Sequence, residues 1–122
     1  MTKQAMTLAD LIRAHQESTG DSYGDIAKRA GISKAKVGQL AVAKQPHMPR
    51  VDTVEKLAQG LRLPLHIVQR AAMASAGITP ADAADVTEAD LLAAKIHRLS
   101  DRDREIVARL VDSLLIESPE NA

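Results

Sequence analysis

Between Ser22 and Leu40 the small and apolar residues are spaced for two short helices that must touch, and this spacing constrains the fold more than any other stretch. Ser22 with Asp25 three residues on forms a capping-box pattern. A helix over Tyr23–Ala30 follows, with Ile26 and Ala27 turned inward. Gly31 comes next, where a left-handed turn requires a residue without a Cβ. Ser33 is a good N-cap for a second helix over about Lys34–Val42. Two helices joined by so tight a turn approach closely, so the first needs a small side chain at the crossing, and Ala27 supplies it. Val37 anchors the second helix on the core, and Leu40 locks it one turn later. The opposite face of that second helix is left free.

Similar signals run through the rest of the chain. Leu8, Leu11, Ile12 and His15 recur at helical steps and predict a first helix over Thr7–Glu17, capped by Thr7 with Asp10 and ended by Ser18-Thr19-Gly20. Pro46 and Pro49 mark Lys44–Arg50 as a loop. Asp52 with Glu55 is read as the cap of a fourth helix that carries Val54, Leu57, Ala58 and Leu61 and is broken by Pro64. A fifth covers about Leu65–Ala76, with Gly77 as its stop. Residues 78–86 read as a linker, with one helical turn started by Thr79-Pro80. Thr87 and Asp90 cap a helix through about Leu99, Ser100 caps a last one over about Asp101–Ile116, and 118–122 is expected to fray. No strand pattern interrupts the series, and Tyr23 is the one aromatic residue. Ala and Leu dominate instead, which favours packed helices. A core built without aromatic rings is modest in depth, so stability is expected to depend partly on association.

Charge divides the chain. The formal net charge of zero hides nine basic residues against four acidic ones over 20–75, an excess of +5, and five basic against ten acidic over 76–122, a deficit of −5. A basic part suited to a polyanion thus precedes an acidic part that is not. Other classes of function find little support. His15, His47, His66 and His97 lie far apart and there is no cysteine, so no metal site is expected. Ser22 and Ser33 are explained as caps, the acidic residues Asp101, Asp103 and Glu105 stand at a helix start, and no glycine-rich loop follows a strand, so the chain is not expected to be an enzyme or to carry a cofactor. No apolar run approaches the roughly 18–20 residues that span a bilayer. The N-terminus lacks the apolar core of a signal peptide, and a cytoplasmic location is expected.

The series Ala27…Gly31-Ile32-Ser33…Val37-Gly38-Gln39-Leu40 resembles the Xre/Cro-type helix-turn-helix family, which includes the lambda-like phage repressors. Val54-Glu55-Lys56-Leu57-Ala58…Leu61-Arg62-Leu63-Pro64-Leu65 looks like that family's fourth helix and its entry to the fifth. The resemblance covers about Thr7–Gly77. The C-terminal third lies outside it; there the residue pattern predicts the linker 78–86 and a two-helix C-terminal oligomerisation element over 87–122, and the whole is read as an all-α fold. The resemblance implies a five-helix lambda-repressor-like DNA-binding domain over 1–77. It further implies that Ser33, Lys34, Ala35, Gly38, Gln39 and Val42 face base edges or the adjacent backbone. Gln39 is suited to paired hydrogen bonds with an adenine, Lys34 to donation to a guanine, and Ala35 to a thymine methyl. Tyr23 would lie beside a phosphate, where the family often has Gln. Lys36, Lys44, His47 and Arg50 would clamp the backbone, which positions without specifying. Gly38 stands mid-helix at a cost of about 1 kcal/mol relative to Ala, which a close backbone approach would explain.

The last helix carries Ile106, Val107, Leu110, Val111, Leu114 and Leu115 as a wide apolar stripe among charges. It suits a dimer seam, because readers of this type pair two recognition helices one DNA turn apart. The expected function is a sequence-specific regulator of phage or bacterial origin, a repressor that binds a palindromic double-stranded operator as a homodimer in the bacterial cytoplasm or nucleoid. A second reading stays open: an antitoxin or adaptor whose C-terminal helices engage a partner protein. A third arrangement, the last helix folding back on the N-terminal domain, is also compatible with the stripe.

Overall fold

The computed structural model describes residues 6–42, 45–78 and 86–117, and among them every regular element is a helix. In chain order these are α1 (Leu8–Thr19), α2 (Tyr23–Ala30), α3 (Lys34–Leu40), α4 (Val51–Leu61), α5 (Leu65–Ser75), α6 (Glu88–His97) and α7 (Asp101–Glu117). The all-α architecture, five helices followed by two more, is the one the residue pattern predicts.

Local chemistry sets most of the boundaries. Thr7 and Asp10 satisfy each other's backbone N–H groups ahead of α1, and Ser22 and Asp25 do the same ahead of α2. At Gly31 the chain turns left-handed (φ 76°), and its N–H donates to the carbonyl of Ala27. Ser33 Oγ accepts the N–H of Lys36 at 3.0 Å and opens α3. Thr87 and Asp90 cap α6, and the paired Thr87 N–H and hydroxyl hold the Asp90 carboxyl below its ordinary pKa. One expected cap is absent. α4 begins at Val51 rather than after Asp52, with Arg50 at the N-cap position and no side-chain cap bond. Asp52 therefore lies inside the first turn, where its carboxylate favours the positive end of the helix dipole without capping it. α1 runs two residues beyond its expected end, to Thr19, and α3 stops two short of its own, at Leu40. The expected turn at Thr79-Pro80 and the expected fraying of 118–122 lie outside the described residues.

The chain divides into two compact units, 1–91 and 92–122. The core of the first joins Leu8, Leu11 and Ile12 of α1 with Ile26 and Ala27 of α2 and Val37 and Leu40 of α3. Val54, Leu57, Ala58 and Leu61 of α4 and Ile67, Val68, Ala71 and Ala72 of α5 complete it. Val86 is buried in the same cluster and Leu91 packs against it, so this unit reaches past the boundary expected at Gly77. Fully burying a large aliphatic side chain is worth about 1.5–3 kcal/mol, so the residues at these positions fix the register of every helix in the unit.

Two polar devices finish the packing. Ser75 Oγ, buried near the end of α5, accepts the N–H of Leu8 at 2.8 Å and donates to the carbonyl of Ala71 at 3.0 Å. It thereby satisfies a first-turn donor of α1 that would otherwise be orphaned. Gly60 lets α4 lie directly on α2: a Cβ there would come within 2.7 Å of the Ala30 Cβ and 2.9 Å of the Ile26 carbonyl oxygen.

Candidate nucleic-acid interface

The scaffold under α3 is held through α2. Asp21, just ahead of the helix, accepts from Nη2 of Arg29 in its last turn at 2.5 Å and lies 2.7 Å from His15 Nε2. Arg29 Nε donates across to the carbonyl of Gly60 at 2.8 Å. This fork ties α1, α2 and α4 together. Its hydrogen bonds, from Arg29 first and His15 second, lower the Asp21 pKa to about 2. Along the same helix, Ala27 and Ala30 are buried in the crossings with the neighbouring helices, as the spacing of small residues requires.

α3 then presents two unlike faces. Val37 is fully buried and Leu40 nearly so, at 2% exposure. Ala35 and Gln39 stand one turn apart on the side away from those two anchors, and Lys34 and Gly38 one turn apart along its flank. Lys34, Ala35 and Gln39 are exposed, and Gly38 is half-buried. Val42 follows just beyond the helix with 53% exposure. Ser33 is exposed, and its oxygen is engaged as the N-cap acceptor.

Gly38 has no internal reason to be glycine. Its φ is not positive, and an added Cβ would meet only the Tyr23 ring, at 4.0 Å, an ordinary contact distance. Tyr23 itself is half-buried and packs against the core cluster. Its ring therefore props α3 from the start of α2, a packing role not visible in the local sequence pattern.

Lys36, Gln39, Val42, His47 and Arg50 line one shallow groove of about 460 Å³ between the end of α3 and the loop before α4. The structure thus brings three of the four proposed clamp residues beside Gln39, while Lys44 lies outside the described residues. His47 and Arg50 are exposed and Lys36 is half-buried. The loop is fixed by Gln45. Its side-chain amide donates to the carbonyls of Gln39 at 2.9 Å and Val42 at 3.1 Å, and its own N–H donates to the carbonyl of Ser75 at 2.9 Å. Gln45 therefore caps the C-terminal end of α3 and pins it to α5. Nothing local in the sequence marks Gln45 for this role. Gly60, by contrast, carried a readable signal, since an isolated glycine inside a helix often reports a close approach.

No group of three or more His, Asp or Glu residues suited to a metal ion occurs among the described residues. No helix among them is long and apolar enough to cross a membrane. A family model described as a helix-turn-helix domain matches residues 7–73, which takes in α1 to α4 and most of α5. Comparison with the curated proteins and with the solved structures finds no match.

Proposed function

The chain belongs to the helix-turn-helix domain family, and from that premise we propose that it is a sequence-specific DNA-binding transcription regulator, a repressor that occupies a palindromic operator as a homodimer. The observation that carries this reading is the outer side of α3. Lys34, Ala35 and Gln39 stand uncovered on a helix whose other side is locked by Val37 and Leu40, and Gly38 beside them lacks a side chain without any internal need to. A helix so mounted is what direct readout in the major groove requires.

Roles divide by chemistry. Gln39 offers a donor and an acceptor to an adenine edge, Lys34 donates to a guanine, and the Ala35 methyl meets a thymine methyl. Gly38 lets the helix backbone come close to the groove wall, and Val42, just beyond α3, faces base edges or the adjacent backbone. Ser33, Lys36, His47 and Arg50, together with Lys44 and Tyr23, face the phosphates and set the register. The excess of +5 over 20–75 supplies the salt-dependent attraction. One such module binds weakly, so a dimer that spans two half-sites supplies affinity and symmetry together, and repression follows from steric exclusion of polymerase.

Selection of bound sequences from random double-stranded DNA with the full chain tests this reading. The expected result is enrichment of a two-fold symmetric site whose half-sites lie about 10 base pairs apart or a multiple of that. Failure to enrich any sequence over the starting pool would overturn it.

A further inference from the structure

Six apolar residues of α7 form a stripe whose spacing is the same in both directions, while Ile116 lies on the opposite side of the helix. Ile106, Val107, Leu110, Val111, Leu114 and Leu115 are placed evenly about the midpoint between Leu110 and Val111. Reversing the helix about that point exchanges the level of Ile106 with that of Leu115, of Val107 with Leu114, and of Leu110 with Val111. At 3.6 residues per turn the six share one side of the helix, with Val107 and Leu114 nearest its centre line. Five of them are open: Ile106 is 53% exposed, Leu110 58%, Val111 44%, Leu114 54% and Leu115 54%. A contiguous apolar face of this kind marks an interaction surface.

We propose that α7 pairs antiparallel with α7 of a second copy of this chain, about a two-fold axis level with the Leu110–Val111 midpoint. This rests on the dimer reading above and gives it a geometry. In an isologous pair the same patch must serve both sides. Only a pattern symmetric end to end lets an antiparallel pair meet apolar residue with apolar residue at every level. An unrelated partner protein would call for no such symmetry.

Charge sets the direction. Asp103 is exposed and lies about 30° from the centre line of the apolar side at 3.6 residues per turn. A parallel pair would bring two Asp103 carboxylates together at the seam, and uncompensated like charges there are costly. The antiparallel register separates the two Asp103 by 15 residues, about 22 Å at 1.5 Å per residue. It also opposes the two helix dipoles rather than aligning them.

Because the chain has no cysteine, single cysteines introduced into the full-length protein report the register directly. Val107→Cys on one copy faces Leu114→Cys on the other. Each is separated from its own counterpart by about 10 Å along the helix, beyond the roughly 7 Å that a disulfide can bridge. Oxidation of a mixture of the two variants is expected to yield a disulfide dimer containing one of each, and oxidation of either variant alone is expected to yield none. Leu114→Cys replaces an exposed side chain and carries the test by itself should Val107→Cys fold poorly. Sedimentation equilibrium of the unaltered chain accompanies the experiment. A dimer whose variants cross-link to themselves overturns the antiparallel register and leaves the dimer reading intact. A monomer overturns both, and the DNA selection decides the regulator reading independently of either result.

Discussion

Replacing Gly60 by alanine tests the packing that positions α3. The added Cβ would lie 2.7 Å from the Ala30 Cβ, 2.9 Å from the Ile26 carbonyl oxygen and 3.3 Å from Ile26 Cγ2. Restoring ordinary carbon–carbon contact of about 3.5–4.0 Å requires α4 and α2 to part by roughly 1 Å. Neither of the two nearest atoms can swing aside, since one is backbone and the other is bonded to it. Overpacking of this kind costs about 1–3 kcal/mol, and the rigid neighbours place Gly60→Ala at the upper end. The gain in helix propensity offsets about 1 kcal/mol. A net loss of about 2 kcal/mol remains, which lowers the melting temperature of a domain this size by about 8–16 °C. The Arg29 bond to the Gly60 carbonyl is stretched by the same movement, and α3 moves with α2, so operator affinity is expected to fall as well. Thermal unfolding followed by circular dichroism provides the assay, with Gly24→Ala as the control. At Gly24 an added Cβ meets only Ser22 Oγ, at 3.6 Å, and stability is expected to hold or rise. If Gly60→Ala melts at or above the parent while Gly24→Ala behaves as described, the close crossing of α2 and α4 does not govern stability.

Gly38→Ala is expected to raise stability by up to about 1 kcal/mol, because the helix gains propensity and the Cβ finds room, yet to weaken operator binding; unchanged binding in a gel-shift titration would remove Gly38 from the interface. Arg50→Ala is expected to leave unfolding unaltered, since its side chain makes no cap bond, while weakening all DNA sequences alike and lowering the salt slope by about one; a loss confined to one sequence would contradict the clamp role. Asp21, with its folded pKa lowered to about 2, contributes stability that is complete above its unfolded value of about 3.9 and is lost as pH falls through the folded value. Asp21→Asn is therefore expected to flatten the acid limb between about pH 4 and pH 2 in urea midpoints, and an identical limb in both proteins would refute the assignment.

Local signals carried most of the fold. Ser22 with Asp25, Ser33, and Thr87 with Asp90 act within one turn of their own positions, and each caps the helix it announces. The inward residues were legible because Leu8, Leu11, Ile12, Val37, Leu40, Val54 and Leu57 repeat at helical steps. Ser75 was not legible, because its partner Leu8 lies 67 residues away and a serine in an alanine-rich helix has no distinguishing pattern. The bond from Arg29 to Gly60 spans 31 residues and likewise leaves no local trace. Asp52 with Glu55 misled because the extended backbone of Arg50 starts α4 a residue before the carboxylate. Within the candidate site, the open side of α3 followed from Val37 and Leu40 alone. The prop supplied by Tyr23 and the cap supplied by Gln45 depend on contacts that only the folded chain creates.

The central claim is that the open side of α3 reads bases, and Gln39 carries the sharpest consequence. Binding of the parent and of Gln39→Ala would be measured against the selected operator and against variants substituted at each base pair in turn. The account predicts that Gln39→Ala loses discrimination at one base pair in each half-site, by about 1–3 kcal/mol, and keeps it elsewhere. An unchanged preference at every position would contradict it.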